Sequence, residues 1–482
     1  MHQLLILRKQ SPVILFVLLY IAADLVFTSK EIYILNLIPF VLLLVYLALA
    51  RIDLVYFLIV LLTPLSVQFI EFLPSSPLDF AIPTEPILFG VLILLIYRSV
   101  QHGLSFHQVL RHPVSYAIIF NLIWILVTSL TSTMPLVSFK FLLARFWFVA
   151  IYFWLAIMVF KRNPRYIFWF IWCYAIPMVL VIFYTIYRHL GFGLSDKEAA
   201  HFVMNPFFRD HTSYGAILAM LFFSLGGVVF IKKRGLLQQG ILLGTWLLIS
   251  AALILSYTRA AWISVLVALA VLGFTLFRIR FRYILIAGIL AALYLTSQRT
   301  VIVQKMERNR QVSSATFSEH VQSISNITTD ESNLERINRW NSALRMFRER
   351  PVFGWGPGTY MFKYAPFQVS AEKTGISTDF GNLGNAHSEY IGPLAESGFL
   401  GSLSFLLIGI LTLMTGFRVY GKVKDKSLKW MVLGLILGYI TYLVHGMLNN
   451  FLDTDKASAL FWGFTAAFVS LDISLKELDP QN

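Results

Sequence analysis

Long apolar runs separated by short polar connections dominate this chain. They fall near residues 12–28, 32–50, 52–70, 82–98, 114–132, 137–160, 166–188, 212–231, 239–256, 260–277, 283–297, 391–417, 430–448 and 457–473. About 17–25 apolar residues suffice to cross a bilayer as a helix. Hydrocarbon offers the backbone no hydrogen bonds, so each run must satisfy its own N–H and C=O groups by coiling. The expected fold is therefore all-α: a polytopic integral membrane protein of about fourteen transmembrane helices. Composition agrees, because only 13% of the 482 residues are charged, against roughly 25% in a soluble domain. The stretch "MHQLLILRKQSPVILFVLLYIAADLVF" shows no small-residue cleavage site and reads as a first retained helix rather than a signal peptide.

The basic residues set the expected topology. Arg8–Lys9, the stretch from Arg98 to Arg111, "KRNPR" (161–165), "KKR" (232–234), "RIRFR" (278–282) and "RVYGKVKDKSLK" (418–429) all fall on one side when spans are counted. The positive-inside rule makes that side cytoplasmic, with both termini. Segments 70–81, 189–211 and 298–390 then lie outside. The net charge of +14 reports this topology, not a nucleic-acid partner. The lone Cys173 excludes an intramolecular disulfide and a cysteine-cluster metal site. Three regions are expected: spans over 1–297, an extracytoplasmic loop over 298–390, and spans with a short tail over 391–482.

The large outer loop carries an amphipathic pattern. In "SNLERINRWNSALRMFRERP", Ser332 and Glu335 read as a capping box and Pro351 as a stop. Leu334, Ile337, Trp340, Leu344 and Phe347 recur at helical steps, which predicts an apolar stripe for docking at the membrane interface or on the span ends. Arg336 sits beside that stripe, whereas Arg339, Arg348 and Arg350 read as a solvated or headgroup-facing set. "GWGPG" (354–358) is a turn and not a phosphate loop, since no Gly-Lys-Ser/Thr ending follows.

Polar groups inside or bordering the spans are Arg145, Arg209, Asp210, His211, Arg259, Glu389, Glu396, His445, Asn449 and Asn450. Nearly all fall toward the outer side. A transporter needs them near the midplane, whereas chemistry at one leaflet needs them at one end. Each also has a plainer reading. Arg259 can snorkel, Arg145 can pair with an acid such as Asp24, and His387 can be structural. Asn385 can cap a helix, and Gly392, Pro393, Gly398 and Gly401 can serve packing or a kink. His387 can instead take a proton from a hydroxyl, with Glu389 polarising it or capping the helix. "DTD" (453–455) resembles a divalent-cation motif, but acidic residues also favour a helix start.

Three ordered pieces, "LSYTRAAW" (255–262), "RINRWNSALRMFRERPVFGWGPGTY" (336–360) and "NAHSEYIGPLAESGFLG" (385–401), resemble the O-antigen ligase and polymerase superfamily of bacterial envelope glycan transferases. "FWGFTAAF" (461–468) is similar to its closing helix more weakly. The resemblance implies a GT-C-like helical transferase in the bacterial cytoplasmic (inner) membrane, its site facing outward. It implies a polyprenyl (undecaprenyl) diphosphate-linked glycan as donor, membrane lipid as surroundings, and a glycan, lipid A core or protein hydroxyl as acceptor. The superfamily's motif arginines fall on Arg259 and Arg336, and its loop histidine on His387; Arg145, Glu389, Asn385 and Trp340 are possible supports. Such a site would clamp the departing diphosphate between two guanidinium groups while His387 handles the acceptor hydroxyl. The expected reaction inverts the anomeric centre and uses no metal and no cofactor. A protein O-oligosaccharyltransferase is the alternative, and a lipid-linked-sugar flippase or exporter the competing class.

Overall fold

The computed structural model describes residues 2–31, 33, 35–73, 80–102, 107–229, 235–278, 331–378 and 384–478. The expected span at 283–297, the polar stretch 298–330 and the "KKR" cluster lie outside these residues. Two compact units divide at Leu58 and Ile59.

The first unit contains α1 (His2–Thr28), α2 (Ile38–Ala50) and the start of α3 (Ile52–Leu62). Within it the Tyr20 hydroxyl donates to the Leu35 carbonyl at 2.6 Å, and Arg51 pairs with Asp53 at 3.1 Å.

The second unit is a helical bundle: α4 (Thr84–His102), α5 (Pro113–Leu130), α6 (Pro135–Arg162), α7 (Arg165–Leu190), α8 (His211–Val229), α9 (Leu236–Leu255), α10 (Arg259–Leu276), α11 (Glu331–Glu349), α12 (Gly392–Lys422), α13 (Lys426–His445) and α14 (Asp455–Leu478). Among the described residues ten helices are long and apolar enough to span a membrane, and three shorter apolar helices occupy the first three predicted runs. The architecture is the all-α polytopic one expected, and the predicted runs within the described residues each hold a helix. A two-residue antiparallel ribbon, Val67–Gln68 against Ala81–Ile82, is the described β-structure.

Small residues bring the central helices together. A Cβ on Gly227 of α8 would lie 2.5 Å from the Trp430 carbonyl and 2.9 Å from Gly434 of α13. One on Gly438 would lie 2.7 Å from the Met220 carbonyl. In lipid, where helices gain little from the hydrophobic effect, such backbone contact supplies the association energy. Helix α14 is buried almost throughout, from Ala457 to Ile473. Apolar side chains on other helices point outward, among them Leu180, Tyr187 and Leu266. That surface suits acyl chains.

The two ends of this bundle differ chemically. At one, Asp472 of α14 collects His112, Arg418 and Lys476 at 3.3, 3.4 and 2.8 Å, and Lys161 pairs with Glu477 at 2.9 Å. The other end gathers Asp210, His211, Arg259, His387, His445 and Asn449, opposite the described basic turns at 161–165 and 418–429, which neighbour Glu477 and Asp472.

Candidate functional site

Helix α11 sits over this polar end, but not on the predicted stripe. Its buried face is Glu335, Asn338, Arg339, Ser342, Ala343 and Met346, while Leu334 and Leu344 remain exposed. The expected capping box is replaced by a buried network. Glu335 Oε1 accepts from Arg339 Nε at 2.8 Å, and Oε2 accepts from Thr374 at 3.0 Å and from Ser377. Burial pushes the Glu335 carboxyl up, yet the bonds from Ser377 and Arg339 outweigh it and hold the group below its usual range. Arg339 is therefore not a solvated residue: it is 8% exposed and also donates to the Asn385 carbonyl at 3.2 Å. Segment 360–378 supplies the other partners. Tyr360 donates to the Arg339 carbonyl at 2.8 Å, and Arg345 pairs with Glu372 at 2.7 Å.

The "GWGPG" turn locks this cap onto α12. Trp355 and Gly356 N–H donate to the Ala395 and Glu396 carbonyls at 3.0 and 2.8 Å. Gly354 has φ +67°, and a Cβ there would collide with the Glu396 carbonyl. Glycine is required by conformation and by space. Glu396 accepts from the Tyr360 N–H at 3.0 Å, so it holds the turn.

His387 is presented by this arrangement in the left-handed region, at φ +46°, which costs a residue with a Cβ roughly 1–2 kcal/mol. Neighbours fix it. Asn385 Oδ1 accepts from the His387 N–H at 3.1 Å, and Trp340 Nε1 donates to the His387 carbonyl at 3.4 Å. The N-cap of α12, Ile391, has no side-chain cap bond; the Ser388 hydroxyl accepts from the Tyr390 and Ile391 N–H groups at 3.2 Å each in the turn before it, and Asn385 shapes the turn before that. Burial, then Arg339 and Arg336, lowers the His387 imidazole to a pKa of about 3, opposed by a hydrogen bond with Asn449. The ring is neutral at pH 7.

Glu389 neither polarises His387 nor caps the helix. Its Oε1 accepts from Tyr442 Oη at 2.7 Å and from the Phe451 and Leu452 N–H groups at 2.8 and 2.9 Å. Those bonds pin the turn between α13 and α14. That turn carries Asn449, whose Nδ2 lies 3.1 Å from His445 Nε2. Asn449 thus links two imidazoles, and His445 Nδ1 is buried without a hydrogen-bond partner among the described residues.

Arg259 and Arg336, on different elements, lie within each other's electrostatic reach. Thr258 packs on Gly215 of α8, where a Cβ would lie 2.7 Å away, and its hydroxyl donates to the His211 carbonyl at 2.7 Å. This seats the first turn of α10, and hence Arg259, against the start of α8. Burial and then the nearby Arg259 lower the proton affinity of Arg336, with Asp210 opposing. Arg336 donates from Nη1 to Asn333 at 2.9 Å, while its Nε is buried with no hydrogen-bond partner among the described residues. His211 lies within the fields of both arginines and stacks on His201 at 4.1 Å.

A cavity of about 250 Å³ opens under His387, lined by Asn385, Asn449, Asn450, Asp453 and the start of α8. His387 is on its wall; Arg259 and Arg336 are not, and the arginine there is Arg209. Arg145 lines a separate space of about 50 Å³ with Glu389 and Glu396, over the Phe141 ring at 5.3 Å. Asp455 accepts from Ser66 and Thr84 at 2.6 Å each. These bonds commit it to packing, which favours the helix-start reading of "DTD".

Among the polar groups named from the sequence, Asp210, His211, His445 and Asn449 carried no assigned role. His201 was missed, because a lone histidine in a turn has no periodic or motif signal.

A helical membrane protein with one concentrated polar end is the class this fold defines. Residues 243–406 match the family described as O-antigen ligase, which supports the superfamily that the three motifs resemble. The match runs from α9 into α12 and contains Arg259, Arg336 and His387. No curated protein matches the chain.

Proposed function

We propose that the protein moves a glycan from a polyprenyl (undecaprenyl) diphosphate carrier to a hydroxyl acceptor, as an O-antigen ligase or repeat-unit polymerase. On this reading the polar end faces outward from the bacterial inner membrane, which the described basic turns at 161–165 and 418–429, at the opposite end, support. One observation supports the reading: two guanidinium groups, Arg259 and Arg336, lie within each other's electrostatic reach, and Arg336 within that of a neutral imidazole, His387. Placing like charges together in a partly buried site is costly unless an anion joins them. A diphosphate is such an anion, and arginine meets its oxygens with a fixed fork of donors.

In the mechanism, cleavage of the sugar–phosphate bond leaves the bonding pair on the diphosphate oxygen, where the arginines offset the charge. The acceptor oxygen bonds to the anomeric carbon from the opposite face, and its proton passes to His387. Configuration inverts. The Asn449 side chain and the Trp340 contact hold the imidazole in place for that transfer. The placement of Asp210, His211, Arg259, His387 and His445 at one end rather than near the midplane favours this reading over a carrier of lipid-linked sugars, whose site lies near the midplane.

The test is reconstitution in liposomes with an undecaprenyl-diphosphate-linked repeat unit. A ladder of lengths on the carrier indicates a polymerase, and one transfer to lipid A core a ligase. Absence of transfer to any hydroxyl acceptor would sink the reading.

A further inference from the structure

We infer that His201 and His211 form one stacked imidazole pair belonging to the donor diphosphate site, which takes a proton from solvent when the diphosphate binds and returns it when the lipid leaves. This rests on the transferase reading above and adds to the same site two residues and a pH dependence of donor affinity. The pair is built from two elements. Asp196 Oδ1 accepts from the Glu198 and Ala199 N–H groups at 2.9 and 3.0 Å, Ala199 and Ala200 are buried, and this anchored turn holds His201 at the surface. Its ring lies on that of His211, with centroids 4.1 Å apart and planes at 13°. The His211 carbonyl accepts from the Thr258 hydroxyl at 2.7 Å, so the start of α8 is bonded to the residue before Arg259.

The surrounding charges decide when the pair can be protonated. Arg259 acts on both rings and Arg336 on His211, and each guanidinium opposes an imidazolium. His445 of α13 is also within reach of His211. Burial, the largest influence, lowers the His201 imidazole, with Arg259 adding to it and Glu198 and Asp210 opposing. Asp210 also acts on His211, but its Oδ1 is committed to the Thr212 hydroxyl and the Ser213 N–H. Neither imidazole ring has a hydrogen-bond partner among the described residues. A diphosphate joined to lipid and sugar carries a negative charge on each phosphoryl group. Bound at the arginines, it offsets their opposition and leaves the acids to favour one imidazolium. Two stacked cations would repel, so the pair takes one proton and not two. The protonated ring then donates to a phosphate oxygen as a charge-assisted hydrogen bond.

The experiment uses the full chain in nanodiscs with an undecaprenyl-diphosphate-linked oligosaccharide, in a His387→Ala background that stops turnover and removes that imidazole's own titration. Calorimetry at pH 7 in two buffers of different ionisation enthalpy reads the protons exchanged on binding, and the donor Kd is followed from pH 6 to 8. Because the complex holds the proton more tightly than the free protein, binding should take up a proton, to about one per donor at most. The Kd should rise with pH, by no more than about tenfold per unit. The double variant His201→Phe/His211→Phe keeps two stacked aromatic rings without a titrating nitrogen, and in it both uptake and pH dependence should vanish. No uptake with both histidines present would overturn the pair, whether or not the double variant folds. Undiminished uptake in the folded double variant would overturn it too; either result leaves the arginine site standing. Absence of donor binding at every pH would overturn the diphosphate site itself.

Discussion

Glu389 and Tyr442 meet at 2.7 Å, hydroxyl to carboxylate, deep beneath the polar end of the bundle. The same carboxylate oxygen takes the Phe451 and Leu452 N–H groups, so one side chain ties the start of α12 to the turn that carries Asn449 and Asn450. A carboxylate at the mouth of a membrane helix is expensive; here three donors offset its desolvation.

Glu389→Ala should strand those buried donors, at about 1–3 kcal/mol for each group left unmatched. Glu389→Gln keeps an acceptor oxygen and should retain most activity. Transfer rates together with amide hydrogen exchange at 449–454 check this. Equal behaviour of the two variants would show that the turn is not held through this oxygen.

His387→Ala should reduce transfer by about 10²–10⁴-fold, the usual range for a positioned proton acceptor, while the protein still inserts. Asn449→Ala should lower kcat more than donor KM, since Asn449 orients the ring and does not bind the diphosphate. Near-normal kcat for His387→Ala would remove the imidazole from the mechanism.

The pH dependence follows from the low proton affinity of His387, about 3. A base works when unprotonated, so lowering the pH from 8 to 5 should leave kcat/KM without the acid limb that an ordinary histidine gives near about 6.5. A bound diphosphate compensates Arg336, one cause of the depression, so any acid limb in kcat should lie at higher pH than that in kcat/KM. A kcat/KM limb centred near the ordinary value would contradict the assignment.

Arg259→Lys and Arg336→Lys should each lose at least about tenfold in kcat/KM, because lysine is a point charge without the planar fork. Steady-state assays on purified variants measure it, with EDTA present in one arm. Chelator is expected to leave the wild-type rate unchanged; inhibition by EDTA with rescue by magnesium would return attention to Asp453.

Gly354→Ala should destabilise the cap by about 2–4 kcal/mol, combining a left-handed backbone with a collision against the Glu396 carbonyl. Thermal denaturation in detergent reads it directly. An unchanged midpoint would mean the turn can move away from α12 at little cost.

Much of this was legible in the sequence. Hydropathy located the spans because a helix in lipid needs length and apolarity and little else. The three motifs pointed to Arg259, Arg336 and His387. What the sequence misassigned lies in α11 and its surroundings. Its apolar stripe was expected to dock at the membrane interface or on the span ends; the face packed on the protein is Glu335, Asn338 and Arg339, with Leu334 and Leu344 left exposed. Periodicity ranks faces by apolarity, and here hydrogen-bond partners from 367–378 and Asn385 made the polar face the one to bury. Asn385 and Glu389 were misread for the same reason: their partners are tens of residues away or in an unforeseen turn.

The sequence by itself determined that this chain enters a membrane as many helices, with its basic clusters expected on one side and most polar residues bordering the spans toward the other, because transfer free energy is a local property of each segment. Only the tertiary structure decided which of those groups meet. Arg259, Arg336, His387 and Asn449 come from four separate elements. Their encounter depends on close helix contact at Gly215, Gly227 and Gly434 and on the Glu389-pinned turn, relations among distant residues that no local pattern encodes.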